Sequence, residues 1–246
     1  MSLNLNARVT PNAAVEPTSA GWKLSVGGGI SAAYCNAQLD DYARLPRRRF
    51  PHSEFSFRLR ARVSARDLPG TWGFGLWNDP FGLSLGGGGE PFRLPALPNA
   101  AWFFYASKEN YLSFQNDKPA RGFLAQSFCA PKFHPLLAAA ALALPFSGRA
   151  ARTLLGRVIA EDGAAADVDV TAWHSYQIDW RRRGVSFLVD GVSVLETSVN
   201  PRPPLGVVLW MDNQFAAFTP QGKLSAGILP HGAAWLQVED LAAQAF

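Results

Sequence analysis

The chain has 246 residues, 48% of them hydrophobic and 12% aromatic, with a formal net charge of +4. That composition excludes a disordered polymer, and the length suits one large all-β domain or two small ones. The basic residues form no dense block: Arg47-Arg48-Arg49 and Arg181-Arg182-Arg183 read as solvated loops at strand ends, so nucleic acid is not an expected partner. The 22 Gly and 18 Pro, scattered among short apolar runs, favour strands and turns over long helices. Two cysteines, Cys35 and Cys129, can form one disulfide but no disulfide framework and no metal spacing.

In chain order, residues 1–20 are polar and irregular and read as a loose N-terminal arm. They lack a basic stretch followed by an apolar one, so no signal peptide is read and the default compartment is the cytoplasm. Strand-like runs follow at residues 22–26 and in "ISAAYCNAQLDDY". Residues 55–64 alternate strictly: Phe55, Phe57, Leu59, Ala61 and Val63 against Arg58, Arg60 and Arg62, the pattern of a half-buried antiparallel strand. Further strands are read at 71–77, 102–107 and 111–115, the last two as a hairpin around Lys108-Glu109-Asn110.

Residues 135–163 are Ala/Leu-rich and read as two short helices broken at 145–148, within a helical insertion spanning 130–168. In the second helix, Leu154, Leu155, Val158 and Ile159 form the apolar face, with Arg149, Arg152 and Arg157 mostly off it. The longest apolar stretch, 136–146, is too short to span a bilayer, so no transmembrane segment is expected. A meander follows at 173–180, 185–191 and 192–198, with Asp190-Gly191 as a two-residue turn. "LGVVLWM" and "AWLQVEDLA" complete a set that a single sandwich over 1–246 would pack.

One phrase occurs twice. "GFGLWND" and "GVVLWMD" both read Gly-x-x-Leu-Trp-x-Asp, ending on Trp77 and Asp79, then on Trp210 and Asp212. On a strand, a Trp and an acid two residues on share a face. An indole can stack on the C–H face of a sugar, and a carboxylate can accept its hydroxyl hydrogen bonds. Asn78, Asn213 and Gln214 add donors and acceptors, and Asp41 in "NAQLDDY" is a further candidate, since adjacent Asp40 and Asp41 point to opposite faces. The competing reading is packed core tryptophans followed by turn-forming Asp.

The stretch "WHSYQIDWRRRGVSFLVDGVSVLE" resembles the corresponding segment of the concanavalin A-like lectin/glucanase superfamily, especially glycoside hydrolase family 16. "GTWGFGLW", "PLGVVLWMDN" and "WLQVEDL" fall in the family's order. The resemblance implies an all-β fold: a concanavalin A-like jelly-roll sandwich of two antiparallel sheets, with a short helical insertion and a carbohydrate cleft on the concave face. The family's hydrolases carry Glu-x-Asp-x-(x)-Glu on one concave strand. Here the matching strand is "AWFFYASKENYLSF", which lacks the motif, so no catalytic residue is carried across. Many relatives in the superfamily hold a structural Ca²⁺; this sequence has oxygen ligands but no calcium-specific spacing, and no cofactor or metal site is assigned.

The first functional reading is therefore a carbohydrate-binding sandwich, glycoside hydrolase family 16-like but without that hydrolytic mechanism, with an oligo- or polysaccharide as partner. The second is a glycan-active hydrolase or lyase drawing carboxylates from different strands, Asp79, Asp212 and Asp41. The third is an interaction scaffold using residues 135–163. His174 reads as structural, and "LGGGGE" at 85–90 as a loop rather than a phosphate site. Oligomeric state is not set by these residues.

Overall fold

The computed structural model describes residues 3–28, 33–80, 96–131 and 146–246. Strands are numbered in chain order. The front sheet has seven antiparallel strands in the order β1 (Asn6–Val9), β4 (Asn36–Asp40), β13 (Gly206–Asp212), β6 (Thr71–Trp77), β7 (Ala100–Ala106), β8 (Gly122–Cys129) and β9 (Ala160–Ala165). The back sheet, also seven antiparallel strands, runs β12 (Val192–Thr197), β11 (Gly184–Val189), β10 (His174–Arg181), β5 (Phe55–Val63), β16 (Ala234–Ala245), β3 (Gly21–Val26) and β2 (Ala13–Pro17). A hairpin of β14 (Gln214–Phe218) and β15 (Leu224–Ile228) follows β13, and the helix α1 (Gly148–Val158) precedes β9.

Period-two patterning explains the layering. In β5 the apolar set Phe55, Phe57, Leu59, Ala61 and Val63 is buried and the arginines between point outward. The front sheet answers with Ala37, Leu39, Phe74, Phe103, Leu209 and Met211. Tyr176 of β10 ties the layers together, its ring centroid 5.1 Å from those of Phe74 and Phe103. Cys35 and Cys129 are free thiols.

The structure corrects three expectations. Residues 1–20 are not a loose arm: β1 pairs with β4 at the edge of the front sheet and β2 with β3 at the edge of the back sheet. These short segments carry no strong apolar alternation, because edge strands are held by backbone pairing. Residues 111–115 form no hairpin with β7, whose neighbours are β6 and β8; Tyr111 makes only an isolated bridge to Ala217. Of the 130–168 insertion, residues 148–158 are helical, while residues 160–165 form β9, the far edge of the front sheet. The first of the two helices read there, and the glycine loop at 85–90, lie outside the described residues.

α1 starts at Ser147, whose hydroxyl accepts from the Ala150 N–H at 3.3 Å, and packs Leu155, with Ile159 just beyond its end, toward the front sheet. Arg152 lies on the buried side of this helix rather than off it. Its Nη1 donates to Ser113 O at 2.6 Å and Phe218 O at 2.7 Å, and its Nη2 to Asn116 Oδ1 at 3.2 Å. Three acceptors and the Tyr111 ring, 5.2 Å away, replace the water that a buried guanidinium loses. Among the described residues, no helix is long and apolar enough to cross a membrane.

Candidate functional site

The outward face of the front sheet follows from the same alternation. In β6, Trp72, Phe74 and Leu76 enter the core, leaving Thr71, Gly73, Gly75 and Trp77 outward; in β13, Val207, Leu209 and Met211 enter, leaving Val208, Trp210 and Asp212 outward. Trp77 and Trp210 therefore share the outer face and do not lie between the sheets. Because the strands are antiparallel, Trp77 is opposite Gly206 and Trp210 opposite Gly73. The indoles close that gap by leaning together, with centroids 5.8 Å apart and planes 5° from parallel.

Glycine makes this possible. A Cβ on Gly73 would stand 2.7 Å from Trp210 Cη2, and one on Gly75 2.8 Å from Trp102 Cβ, so the bare backbone is the floor on which these side chains lie. Trp102 and Phe104 of β7 extend the cluster, at 5.7 and 5.4 Å from Trp210. Tyr42, Phe50, Leu97, Phe114, Leu155 and Ile159 pack over it. Trp77 and Trp210 keep only 7% and 5% of their surface exposed. The broad indole faces are thus spent on one another. Trp77 Nε1 donates to the Tyr42 hydroxyl, and Trp210 Nε1 donates to Thr71 Oγ1 at 3.0 Å.

The acids of the repeat are separated by the antiparallel pairing that joins the tryptophans. Asp212 is opposite Thr71 at one end of β6, whereas Asp79 follows Trp77 at the other. The length of β6, roughly 20 Å, lies between them. Asp41 lies toward the Asp79 end, beside Val207: its Oδ2 is 2.5 Å from His52 Nε2 and its Oδ1 accepts from the Val207 N–H at 2.9 Å. Asp212 and Asp79 thus stand at opposite ends of β6, and Asp41 is engaged by His52 and the Val207 N–H. On β7, the outward positions Ala100, Trp102, Phe104 and Ala106 hold no carboxylate.

The amides divide similarly. Asn78 braces a loop, donating to Leu97 O at 2.9 Å and accepting from the Asn99 N–H at 3.0 Å. Asn213 is buried and saturated: it accepts from Cys35 N–H and donates to Ala33 O and Leu229 O, clamping three segments. Gln214 contributes its backbone N–H to Asp212 Oδ1 at 3.2 Å. His174 holds Asp190 at 2.6 Å at the base of the β10–β11 hairpin. Among the described residues, no group of three or more His, Cys, Asp or Glu gathers as a metal site.

β4 supplies what the repeat does not. Cys35, Ala37 and Leu39 enter the core, so Tyr34, Asn36, Gln38, Asp40 and then Tyr42 form a stripe on the outer face. It is Asp40, not Asp41, that turns to this face, and it is fully buried. Asp40 Oδ2 accepts from Arg8 Nε at 2.6 Å and from Gln38 Nε2 at 2.8 Å, and Oδ1 accepts from the Tyr42 N–H at 3.2 Å. Burial raises its pKa despite the opposing Arg8 charge and these donors.

The other end of the stripe is open. Asn36 is opposite Asp212, with Cβ atoms about 5 Å apart by antiparallel geometry. Tyr34, Asn36, Thr71 and Asp212 all retain solvent exposure. Asp212 Oδ1 accepts from Thr71 Oγ1 at 2.8 Å. Desolvation raises its pKa to about 7, opposed by the Thr71 and Gln214 donors. Among the described residues nothing bonds the Asn36 side-chain amide. This corner combines a donor–acceptor amide and a carboxyl, with Tyr34 two residues before Asn36 on the same face.

The front face has a second polar end at β9, also missed from sequence. Glu161 is buried and accepts from the Phe114 N–H at 2.8 Å, while its other oxygen has no hydrogen-bond partner. Burial raises its pKa, opposed by donors from Ser113 to Gln115 and by Arg152.

Scanned against family models and searched against curated proteins, the sequence finds no match. One solved structure superposes closely enough to share its fold, and others are more distantly similar. A Bacillus licheniformis β-glucanase superposes with a TM-score of 0.52 at 12% identity, over 94% of this chain and 82% of that one. LamAcat from Zobellia galactanivorans gives 0.47 at 12% identity, over 98% and 90%. A carbohydrate-binding module from Bacillus subtilis gives 0.43 at 10% identity, over 99% of both chains. The fold is the concanavalin A-like jelly roll; at these identities the likeness is one of architecture.

Proposed function

We propose that this protein is a carbohydrate-binding β-sandwich that holds sugar hydroxyls at the open corner of its front sheet. The observation that carries this reading is the pairing of Asn36 with Asp212 across β4 and β13, solvent-reachable and flanked by Tyr34 and Trp210. An amide and a carboxyl side by side fit adjacent sugar hydroxyls, each of which donates and accepts, and the Tyr34 ring offers surface to a sugar's C–H face. The site is therefore the rim of the aromatic cluster, not its centre.

Hydrolysis by paired carboxylates is not part of this reading. The outward positions of β7 are apolar, and Asp40 is sealed under Arg8 and Gln38. The glucanase fold makes β-glucan oligosaccharides the first ligands to test. Calorimetry should give measurable affinity for the native chain. Asn36→Ala and Asp212→Ala should each weaken it about tenfold, the equivalent of one lost hydrogen bond of about 1.4 kcal/mol. Equal affinity in both variants removes the corner as the site, and release of reducing ends from the same oligosaccharides would contradict the non-hydrolytic part.

A further inference from the structure

The outward face of the back sheet carries a second arrangement of tryptophan. By register, Trp173, just before β10, lies beside Arg62 of β5; Arg62 is opposite Gln237 of β16, and Gln237 opposite Lys23 of β3. The Arg62 guanidinium lies 4.8 Å from the Trp173 ring centroid and 5.4 Å from that of Trp235. Arg60 adds to Trp173 at 5.2 Å and Lys23 to Trp235 at 6.0 Å. The result is a ladder, Arg60–Trp173–Arg62–Trp235–Lys23, in which every member keeps some solvent exposure.

Arg62 is held in a fixed orientation. Its Nε and Nη2 both donate to Gln237 Oε1, at 3.2 and 2.9 Å. Its Nη1 has no partner among the described residues. The acids of this face stand at its margins: Glu239 and Asp240 are 3.9 and 3.7 Å from Arg60, and Glu16 is opposite Lys23 on β2. Among the described residues no carboxylate lies within ion-pair distance of Arg62 or Lys23.

We propose that this ladder is a second binding surface, for an acidic polysaccharide bearing carboxylate or sulfate groups. A guanidinium flanked by indoles and steered by Gln237 presents its remaining in-plane donors without the ordering cost a free arginine meets, and its planar fork suits either anion. The indoles between the cations offer apolar surface to sugar rings. Arg62 and Lys23 are two strands apart, about 10 Å. That is the span of a disaccharide, so the spacing suits a polysaccharide with one charge per disaccharide. Nucleic acid, with a phosphate on every nucleotide, calls for a denser row of cations than one per two strands.

Binding is measured by calorimetry on the full chain with hyaluronan and κ-carrageenan, which carry one carboxylate and one sulfate per disaccharide respectively, and with uncharged dextran and single-stranded DNA. The expected result is affinity for one or both acidic polysaccharides that falls with added salt, and none for dextran; the two acidic probes separate carboxylate from sulfate. Arg62→Gln should weaken binding at least about tenfold and Lys23→Gln severalfold, while Arg157→Gln, the same charge removed from α1, should change nothing. Asn36→Ala should bind as the native chain does, which separates this surface from the front corner. Should Arg62→Gln fail to fold, Lys23→Gln decides. Unchanged affinity in the charge variants, no binding of either acidic polysaccharide, or DNA bound as tightly as the polysaccharides would overturn the proposal.

Discussion

The outward faces of the two sheets both display tryptophan, to opposite ends. On the front sheet the neighbouring positions are Gly73 and Gly75, and Trp77, Trp102 and Trp210 pack against one another under a roof of loop residues and α1. On the back sheet the neighbours are Arg60, Arg62 and Lys23, whose long side chains stand alongside Trp173 and Trp235 and leave them partly in water. A small cross-strand neighbour thus turns an outward tryptophan into a second core, and a long cationic one keeps it at the surface. The site proposed at the front lies where that second core stops, at Asn36 and Asp212.

The largest expected effect tests this contrast directly. Trp210→Ala removes the indole that touches Trp77, Trp102 and Phe104, and should cost about 3–5 kcal/mol in denaturant unfolding. A cost near zero would mean that the front cluster is surface rather than core. Arg152→Met comes next. It leaves the Ser113 and Phe218 carbonyls without their donor and loosens the α1 roof, at about 2–3 kcal/mol. Tryptophan fluorescence should shift to the red as the cluster meets water; an unshifted spectrum would show that α1 does not shield it.

The third effect concerns pH. Asp212 has a folded pKa near 7, above its ordinary 3.8, so between those values the folded chain binds more protons than the unfolded one. Its contribution to stability is therefore full below about pH 4 and is lost as pH rises toward 7. Asp212→Asn should flatten the decline in unfolding midpoint over that window. An unchanged slope would place the raised titration elsewhere, on Asp40 or Glu161, whose pKa values burial also raises. The smallest effect is Trp235→Ala, at about 1 kcal/mol, since its cation–π contacts with Arg62 and Lys23 are partly exposed. A loss matching that of Trp210→Ala would erase the distinction between the two faces.

Much of this was legible in the sequence. The Phe55–Val63 alternation gave a strand and its buried face, and Gly-x-x-Leu-Trp-x-Asp gave two outward tryptophans on neighbouring strands. What the repeat could not show was strand direction: antiparallel pairing brings its indoles together and sends its acids apart. The β4 stripe was readable from Cys35, Ala37 and Leu39, because three apolar residues at period two fix Tyr34, Asn36, Gln38 and Asp40 on the other face. Asp40 was thereby the acid of its pair that shares the outer face. Arg8 was out of reach, since β1 is an edge strand defined by its partner, and Arg152 was hidden because a charge on the buried side of a helix depends on carbonyls distant in sequence.

The central claim is that sugar is held at the Asn36–Asp212 corner. It is tested most directly by a crystal structure of the protein soaked with a short β-glucan oligosaccharide. The account predicts density within hydrogen-bond distance of the Asn36 amide and the Asp212 carboxyl, against the Tyr34 ring, with the Trp77–Trp210 stack undisturbed. Density over β7 and β8, or a sugar ring inserted between Trp77 and Trp210, would contradict it.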